Sequence, residues 1–111
     1  MDAEIPKRSQ IIALWDTGAT ISVISEETAE KLDLFSIGKL LVNHADGQIE
    51  CNTYIINVFL QNQIEFTGIV VACSRLPGID MLIGMDIITK GNFSMINDEG
   101  RTIFSYSVSM D

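Results

Sequence analysis

Residues 13–25 read ALWDTGATISVIS, and this stretch decides how the rest of the chain is interpreted. It opens with an apolar run, typical of a β-strand, that ends in a tight turn at Asp16, Thr17 and Gly18. Gly18 permits backbone conformations that are closed to other residues and lets another chain or a substrate approach closely. The tripeptide alone favours a simple turn carboxylate that accepts hydrogen bonds from nearby amides. The rest of the chain therefore has to decide the role of Asp16.

The pattern along the chain is one of short strands separated by turn residues, with two helical pieces. Strands are predicted over residues 10–15, 20–24, 38–44, 48–60, 64–73, 81–84, 93–96 and 102–108. Ser25 is predicted to cap a first helix over residues 26–32, and Asp33 is predicted to end it in the left-handed conformation. Asp86 is predicted to cap a second helical piece over residues 87–90. These elements predict a mostly antiparallel all-β fold.

The protein is small and acidic: it has 111 residues, of which 47% are hydrophobic, and a formal net charge of −8. A single compact domain, residues 1–111, is the natural division at this length. A surplus of apolar residues in so small a domain indicates a subunit interface. The negative surface repels phosphate backbones and anionic lipid, and no apolar run approaches the ~20 residues of a membrane span. We therefore predict neither nucleic acid nor membrane as a partner.

Cys51 and Cys73 lie in apolar, strand-like sequence. Two free thiols in a reducing compartment are favoured over a disulfide. Two cysteines and one histidine at scattered positions do not provide a ligand set, so no metal site is predicted. The N-terminal residues lack the apolar core of a secretory signal, and a cytoplasmic location is expected.

Three segments, taken in order, resemble the retropepsin-like aspartic proteases, the retroviral type and its cellular and bacterial relatives. Residues 16–19, Asp-Thr-Gly-Ala, are followed by a strand and a short helix. The predicted hairpin over residues 38–60 carries Asn-His-Ala-Asp-Gly at its tip and is placed like the flap of that family. Residues 81–86, Met-Leu-Ile-Gly-Met-Asp, resemble the family's apolar-apolar-Gly strand and the short helix after it. The resemblance implies a closed antiparallel β domain with a flap hairpin, one or two short helices and a homodimeric state.

The resemblance also implies an activity. Each subunit of that family contributes one Asp-Thr-Gly, as this chain does, so two Asp16 carboxylates would face each other across the two-fold axis of a homodimer. Carboxylates held about 3 Å apart share one proton, as is known for the aspartic-protease dyad. The charged one would activate a water, and the neutral one would hydrogen-bond the peptide carbonyl. We therefore expect an aspartic-type endopeptidase for extended, largely apolar segments of protein or peptide substrates, with no cofactor and no metal.

Further site residues follow from the same resemblance. Thr17, Gly18 and Ala19 would support the active-site loop, with Thr17 bonding the partner's loop and Gly18 offering its carbonyl to the substrate. The predicted flap residues are His44, Ala45, Asp46 and Gly47, and the predicted substrate-pocket residues are Leu82, Ile83 and Gly84. The plainer alternatives are an exposed, idle His44 and a turn-forming role alone for Asp46.

The chain departs from the retroviral pattern at several positions. Thr20 and Ile21 stand where acidic residues commonly bind substrate backbone. Trp15 replaces a smaller aliphatic residue before the aspartate and is expected to fill the core. Only fifteen residues precede Asp16, so residues 101–111 are expected to carry more of the sheet between subunits. These departures leave a second hypothesis, a catalytically silent peptide-binding or assembly module, and a third, a self-processing domain of a longer polyprotein.

Overall fold

The computed structural model describes residues 8–109, apart from the side chain of His44. The expectation that residues 101–111 carry more of the sheet between subunits falls partly outside the described residues, which end at residue 109. The described strands are β1 (Ala13–Trp15), β2 (Val23–Ser25), β3 (Gly38–His44), β4 (Gly47–Phe59), β5 (Glu65–Ser74), β6 (Met81–Ile83), β7 (Asn92–Asp98) and β8 (Arg101–Ser107). The described helices are α1 (Glu26–Lys31) and α2 (Met85–Ile88).

Six strands form one sheet in the order β1-β6-β2-β5-β4-β3, and β7 and β8 form a separate two-stranded ribbon. The predicted all-β fold with a flap-like hairpin and two short helices is confirmed. In detail the sheet is mixed rather than antiparallel throughout, because β1 pairs with β6 in parallel and β2 pairs with β5 in parallel. Parallel pairing of β1 with β6 brings the ends of both strands to the same edge of the sheet. Asp16 and Gly84, which follow these ends, therefore meet there.

Local sequence signals are reproduced around α1. Ser25 caps the helix as predicted, since its Oγ accepts a hydrogen bond from the Thr28 amide at 3.0 Å. Asp33 adopts a φ of 51°, the predicted left-handed conformation. The strand before the helix is shorter than predicted and begins only at Val23. The Ser22 amide and hydroxyl bond the Asp86 side chain instead of a neighbouring strand, while the Ser22 carbonyl accepts the Ala72 amide at 3.2 Å.

The core lies on one face of the six-stranded sheet. Its most deeply buried large side chains, each at most 2% exposed, are Ile24, Val71, Met81, Ile83 and Ile87. Burial of each such side chain contributes roughly 1.5–3 kcal/mol. Because neighbours along a strand alternate between faces, the two core residues of β6 point inward and the residue between them lies on the opposite face. Strand β6, the neighbour of β1, is thus firmly anchored.

The β7–β8 ribbon packs on the rest of the domain through aromatic side chains rather than through a strand ladder. Its register pairs Phe93 with Tyr106 and Met95 with Phe104, so these four side chains share one face, called here the inner face of the ribbon. The Tyr106 hydroxyl donates to the Ile87 carbonyl of α2 at 2.6 Å. Burial raises the pKa of Tyr106, so the phenol keeps the proton that this bond requires. A two-stranded ribbon alone is marginally stable in water, and these contacts hold it in place.

Cys51 and Cys73 are free thiols, as predicted, with Cys51 buried and Cys73 half-buried. The register that pairs Thr53 with Ala72 places the two sulfurs on opposite faces of neighbouring strands. Burial raises the pKa of the Cys73 thiol, and the nearby Glu26 carboxylate raises it further. Protonated thiols are poor nucleophiles, so Cys73 is a packing residue rather than a reactive one.

Within residues 8–109, no group of three or more His, Cys, Asp or Glu side chains is arranged to hold a metal ion. None of the helices in that range has the length and apolar character needed to cross a lipid bilayer.

Candidate active site

Asp16 stands on a tight turn at the end of β1, as the sequence predicts. Its amide donates to the Ile83 carbonyl at 2.9 Å, which extends the pairing of β1 with β6 by one bond. Its Oδ1 accepts a hydrogen bond from the Gly18 amide at 2.9 Å, and its carbonyl accepts one from the Ala19 amide at 3.2 Å. The side chain is half-buried. The backbone and one carboxylate oxygen of Asp16 are therefore fixed by bonds within the chain.

The loop after Asp16 is held on one side and open on the other. Thr17 and Gly18 are exposed, whereas Ala19 is half-buried and its carbonyl accepts a hydrogen bond from the Met85 amide at 2.7 Å. A Cβ at Gly18 would lie 3.2 Å from Asp16 Oδ1, which is tighter than an ordinary contact. A larger residue at this position would therefore press on the carboxylate.

Gly84 marks the point where the end of β6 and the loop after Asp16 come closest. A Cβ on Gly84 would lie 2.7 Å from the backbone carbon and oxygen of Ile21 and 2.8 Å from the Ala19 carbonyl oxygen. Only a residue without a side chain fits this space. The predicted active-site loop and the predicted pocket segment, residues 82–84, are thus brought together.

A buried hydrogen-bond network fixes the far end of the loop. Ser22 is fully buried; its Oγ donates to Asp86 Oδ1 at 2.8 Å and accepts from the Gly84 amide at 3.0 Å. The Ser22 amide donates to Asp86 Oδ2 at 3.0 Å, and the Ile87 amide donates to Asp86 Oδ1 at 2.9 Å. One carboxylate therefore joins the segment that leads into β2 to the first turn of α2.

The capping role predicted for Asp86 is wrong. Helix α2 begins at Met85, Gly84 is its N-cap, and Asp86 lies inside the first turn. Sequence analysis also missed the partner, Ser22. The available signal is a lone acid within the otherwise apolar residues 81–88, because an isolated charge is costly to bury without a partner. Nothing comparable distinguishes Ser22 from other serines of the chain.

Replacing Asp86 with alanine is expected to lower the free energy of unfolding by about 3 kcal/mol, because the buried hydroxyl and amide of Ser22 lose their acceptor. Urea denaturation measures the change. Glu30→Ala removes an exposed carboxylate from α1 and is the matched control, with an expected change below about 0.5 kcal/mol. Equal losses in the two variants would contradict the role given to the network.

Asp80 lies in the loop before β6 and joins three segments. Its Oδ2 accepts a hydrogen bond from the Ile12 amide at 2.8 Å, and its amide donates to the Ile12 carbonyl at 2.9 Å. Its own carbonyl accepts a hydrogen bond from the Ser25 amide at 2.8 Å. The residue before β1 is thus tied to the residue before β6, and these bonds align the two strands whose ends carry Asp16 and Gly84.

Comparisons with known proteins identify the family. The family model described as "gag-polyprotein putative aspartyl protease" matches residues 1–90. The chain belongs to this retropepsin-like family. A crystal structure of a retropepsin-like aspartic protease from Rickettsia conorii is similar, with a TM-score of 0.49 and 19% sequence identity over 84% of this chain and 74% of that chain. A search of curated proteins finds no match.

The predicted pocket residues of this retropepsin-like domain face opposite ways. Ile83 is 2% exposed and points into the core, while its carbonyl receives the Asp16 amide. Leu82 is half-buried and lies in register with Leu14 of β1 and Val23 of β2. These three side chains form a row on the face opposite the core. Sequence analysis singles out neither Leu14 nor Val23, because their position depends on where β6 inserts.

The predicted flap of the retropepsin-like domain is a regular hairpin. Strand β3 pairs with β4 along its whole length, and Gly47 adopts a φ of 124° at the turn. Ala45 and Asp46, at the tip, are exposed. In the described part of the chain β3 is an edge strand that pairs with β4 alone. In the described chain no strand pairing therefore connects the tip of this hairpin with Asp16 or with residues 82–84.

Proposed function

We propose that the chain is an aspartic endopeptidase that works as a homodimer, with one Asp16 carboxylate from each copy. One observation carries the proposal: the chain has a single Asp-Thr-Gly turn, whose aspartate is held by internal bonds while Thr17 and Gly18 are exposed. Hydrolysis by paired carboxylates needs a second acid, and a second copy supplies it through two-fold symmetry. Thr17 and Gly18 are then the residues that meet the partner's loop.

In the proposed dimer the two Asp16 carboxylates share one proton, because two negative charges about 3 Å apart repel each other strongly. The ionised carboxylate removes a proton from a water held between the two, and this water attacks the peptide carbonyl carbon. The protonated carboxyl group hydrogen-bonds the carbonyl oxygen and gives it the shared proton, so that a neutral tetrahedral diol forms. A proton passes to the departing amine when the diol collapses.

Exposed apolar side chains on the β7–β8 ribbon support the dimer. Ile96 and Ile103 pair across the two strands on the face opposite the inner face, and they are 56% and 47% exposed. Neighbouring exposed apolar residues mark interaction surfaces. Within the described residues both edges of the ribbon lack a strand partner, so a second copy can extend it by strand addition.

An apolar row beside the active-site turn supports an extended, largely apolar substrate. Leu14, Leu82 and Val23 lie side by side across β1, β6 and β2, and Leu14 is 53% exposed. The β3–β4 hairpin would close over the peptide and add backbone hydrogen bonds. Thr20 and Ile21 provide no carboxylate at the rim of this cleft, so substrate binding relies on apolar and backbone contacts.

Sedimentation with and without a mimic of the tetrahedral intermediate tests the shared site. The mimic is a peptide with a secondary alcohol in place of the scissile carbonyl, and the same peptide with a methylene there is the control. The alcohol is expected to lower the dimer dissociation constant at least about ten-fold, because a ligand that binds only the dimer stabilises it by mass action. Specific activity is expected to rise with chain concentration until the dimer is saturated.

Two outcomes would contradict the proposal. A monomer that cleaves peptides at full rate would exclude a dyad shared between copies. A dimer that binds peptides but cleaves no member of a diverse library between about pH 3 and pH 8 would favour the second candidate function, a silent peptide-binding or assembly module. The residues that motivate this second candidate are Thr20 and Ile21, which stand where substrate-binding acids are common.

A further inference from the structure

Trp15 is the residue through which the ribbon touches the strand that carries Asp16. Its ring centroid lies 4.9 Å from that of Tyr106, 5.0 Å from that of Phe104 and 5.7 Å from that of Phe93. Tilted rings at these separations attract one another. Three of the four side chains on the inner face of the ribbon therefore contact a single ring.

Trp15 and Asp16 are adjacent at the end of one short strand. Strand β1 has three residues, and in the described chain it pairs with β6 alone. Beside Trp15 lies a cleft of about 1620 Å³ that is also lined by Ile11 and Ile24. Trp15 thus packs between the core and the ribbon, with this cleft beside it. Because a single peptide unit joins Trp15 to Asp16, a displacement of the Trp15 ring also displaces the Asp16 backbone.

A second connection runs from the ribbon to the far side of the Asp16 loop. The Tyr106 hydroxyl bonds the Ile87 carbonyl at 2.6 Å, near the end of α2. At the start of α2 the Met85 amide bonds the Ala19 carbonyl at 2.7 Å. The ribbon is thus joined to the residue before Asp16 and, through α2, to the end of the loop after it.

We infer that Trp15 is a positioning residue, which sets the place of Asp16 according to how the ribbon is docked. The inference rests on the proposed function, in which the ribbon meets the second copy, and it deepens that function. Dimer formation then orders the active-site loop of each copy, in addition to bringing the second carboxylate. Trp15 touches no reacting atom and acts through the backbone of Asp16.

Amide hydrogen exchange in Trp15→Leu tests the inference, because leucine stays apolar but loses the ring contacts. The amides of Asp16 and Met85, which bond Ile83 and Ala19, are expected to exchange at least about ten-fold faster than in the unchanged protein. The amides of Asp33 and Ile37, bonded to Glu30 and Thr53, belong to residues that do not line the cleft beside Trp15; they serve as internal references and are expected to change less than about two-fold.

Two further variants complete the exchange experiment. Trp15→Phe retains an aromatic ring and is expected to restore most of the protection. Phe35→Leu removes an exposed ring between α1 and β3 and is the matched control, with no effect expected at Asp16. Unchanged exchange at Asp16 in Trp15→Leu would overturn the inference. Equal acceleration at all four amides would also overturn it, because that pattern reports general destabilisation.

The measurement stays decisive if Trp15→Leu does not fold. Tyr106→Phe removes only the bond to Ile87 and is expected to speed exchange of the Met85 amide at least about three-fold, and unchanged exchange there would overturn the inference. If instead Trp15→Leu folds, its kcat in a dimer-saturated assay is expected to fall about ten-fold with KM within about two-fold, whereas an unchanged kcat would overturn the inference. Exchange needs no catalysis, so an inactive wild-type protein would refute the proposed function and leave this test valid.

Discussion

Replacing Asp16 with asparagine is expected to lower kcat/KM at least about 1,000-fold, because the proposed homodimer then loses both groups that move protons. The asparagine Oδ1 can still accept the Gly18 amide, which Asp16 Oδ1 accepts at 2.9 Å, so the turn should keep its shape. The free energy of unfolding is expected to change by less than about 1 kcal/mol. Peptide cleavage and urea denaturation of the same preparation measure the two effects. Glu30→Gln, the same change of charge on exposed α1, is the control and should retain full activity.

Mixtures of wild-type and Asp16→Asn chains test whether the two acids belong to two copies. If chains exchange freely and both Asp16 groups are required, activity falls with the square of the wild-type fraction, to about a quarter in an equal mixture. A linear fall, to about one half, would mean that each chain works alone. Undiminished cleavage by the pure Asp16→Asn variant would remove Asp16 from the mechanism.

Replacing Gly84 with alanine is expected to lower the free energy of unfolding by about 3 kcal/mol and to abolish measurable cleavage. The added Cβ would lie 2.7 Å from the Ile21 backbone and 2.8 Å from the Ala19 carbonyl oxygen, and backbone atoms cannot rotate aside as a flexible side chain can. The loop that begins at Asp16 therefore has to move to make room for the added Cβ. The expected drop in Tm is about 10–20 °C for a domain of this size.

Gly38→Ala is the matched control for this prediction. A Cβ at Gly38 would meet Thr53 Oγ1 at 3.6 Å, an ordinary contact. The control is expected to change the free energy of unfolding by less than about 0.5 kcal/mol and to keep activity. If Gly84→Ala were as stable and active as Gly38→Ala, the close approach at Gly84 could not be what holds the active-site loop.

Short-range signals made part of the structure predictable. The Asp-Gly turn of the β3–β4 hairpin, the Ser25 cap and the left-handed Asp33 are encoded within a few neighbouring residues, and each forms as expected. The turn at Asp16 is of the same kind, because its side chain bonds an amide two residues away. The resemblance to a known family then predicted how these local elements are arranged in the fold.

Long-range features could not be predicted from the same sequence. The hydrogen bonds between Ser22 and Asp86 join residues 64 positions apart, so the conformational preferences of neighbouring residues do not predict them. The parallel pairing of β1 with β6 depends on how the whole chain is threaded, so strand patterns alone favoured an antiparallel sheet. Trp15 was correctly expected to pack inside the protein, but its partners on the ribbon depend on where β8 returns.

The pairing of β1 with β6 determines when, during synthesis, the turn at Asp16 can take up its folded position. In the described chain β1 has no other strand partner, and the bond from Ile12 to Asp80 beside it spans 68 positions. During synthesis on the ribosome, β1 and the Asp16 that follows it therefore cannot pair with β6 until residues through 83 have emerged. The proposed active site is consequently incomplete in any nascent chain that has not yet reached residue 83.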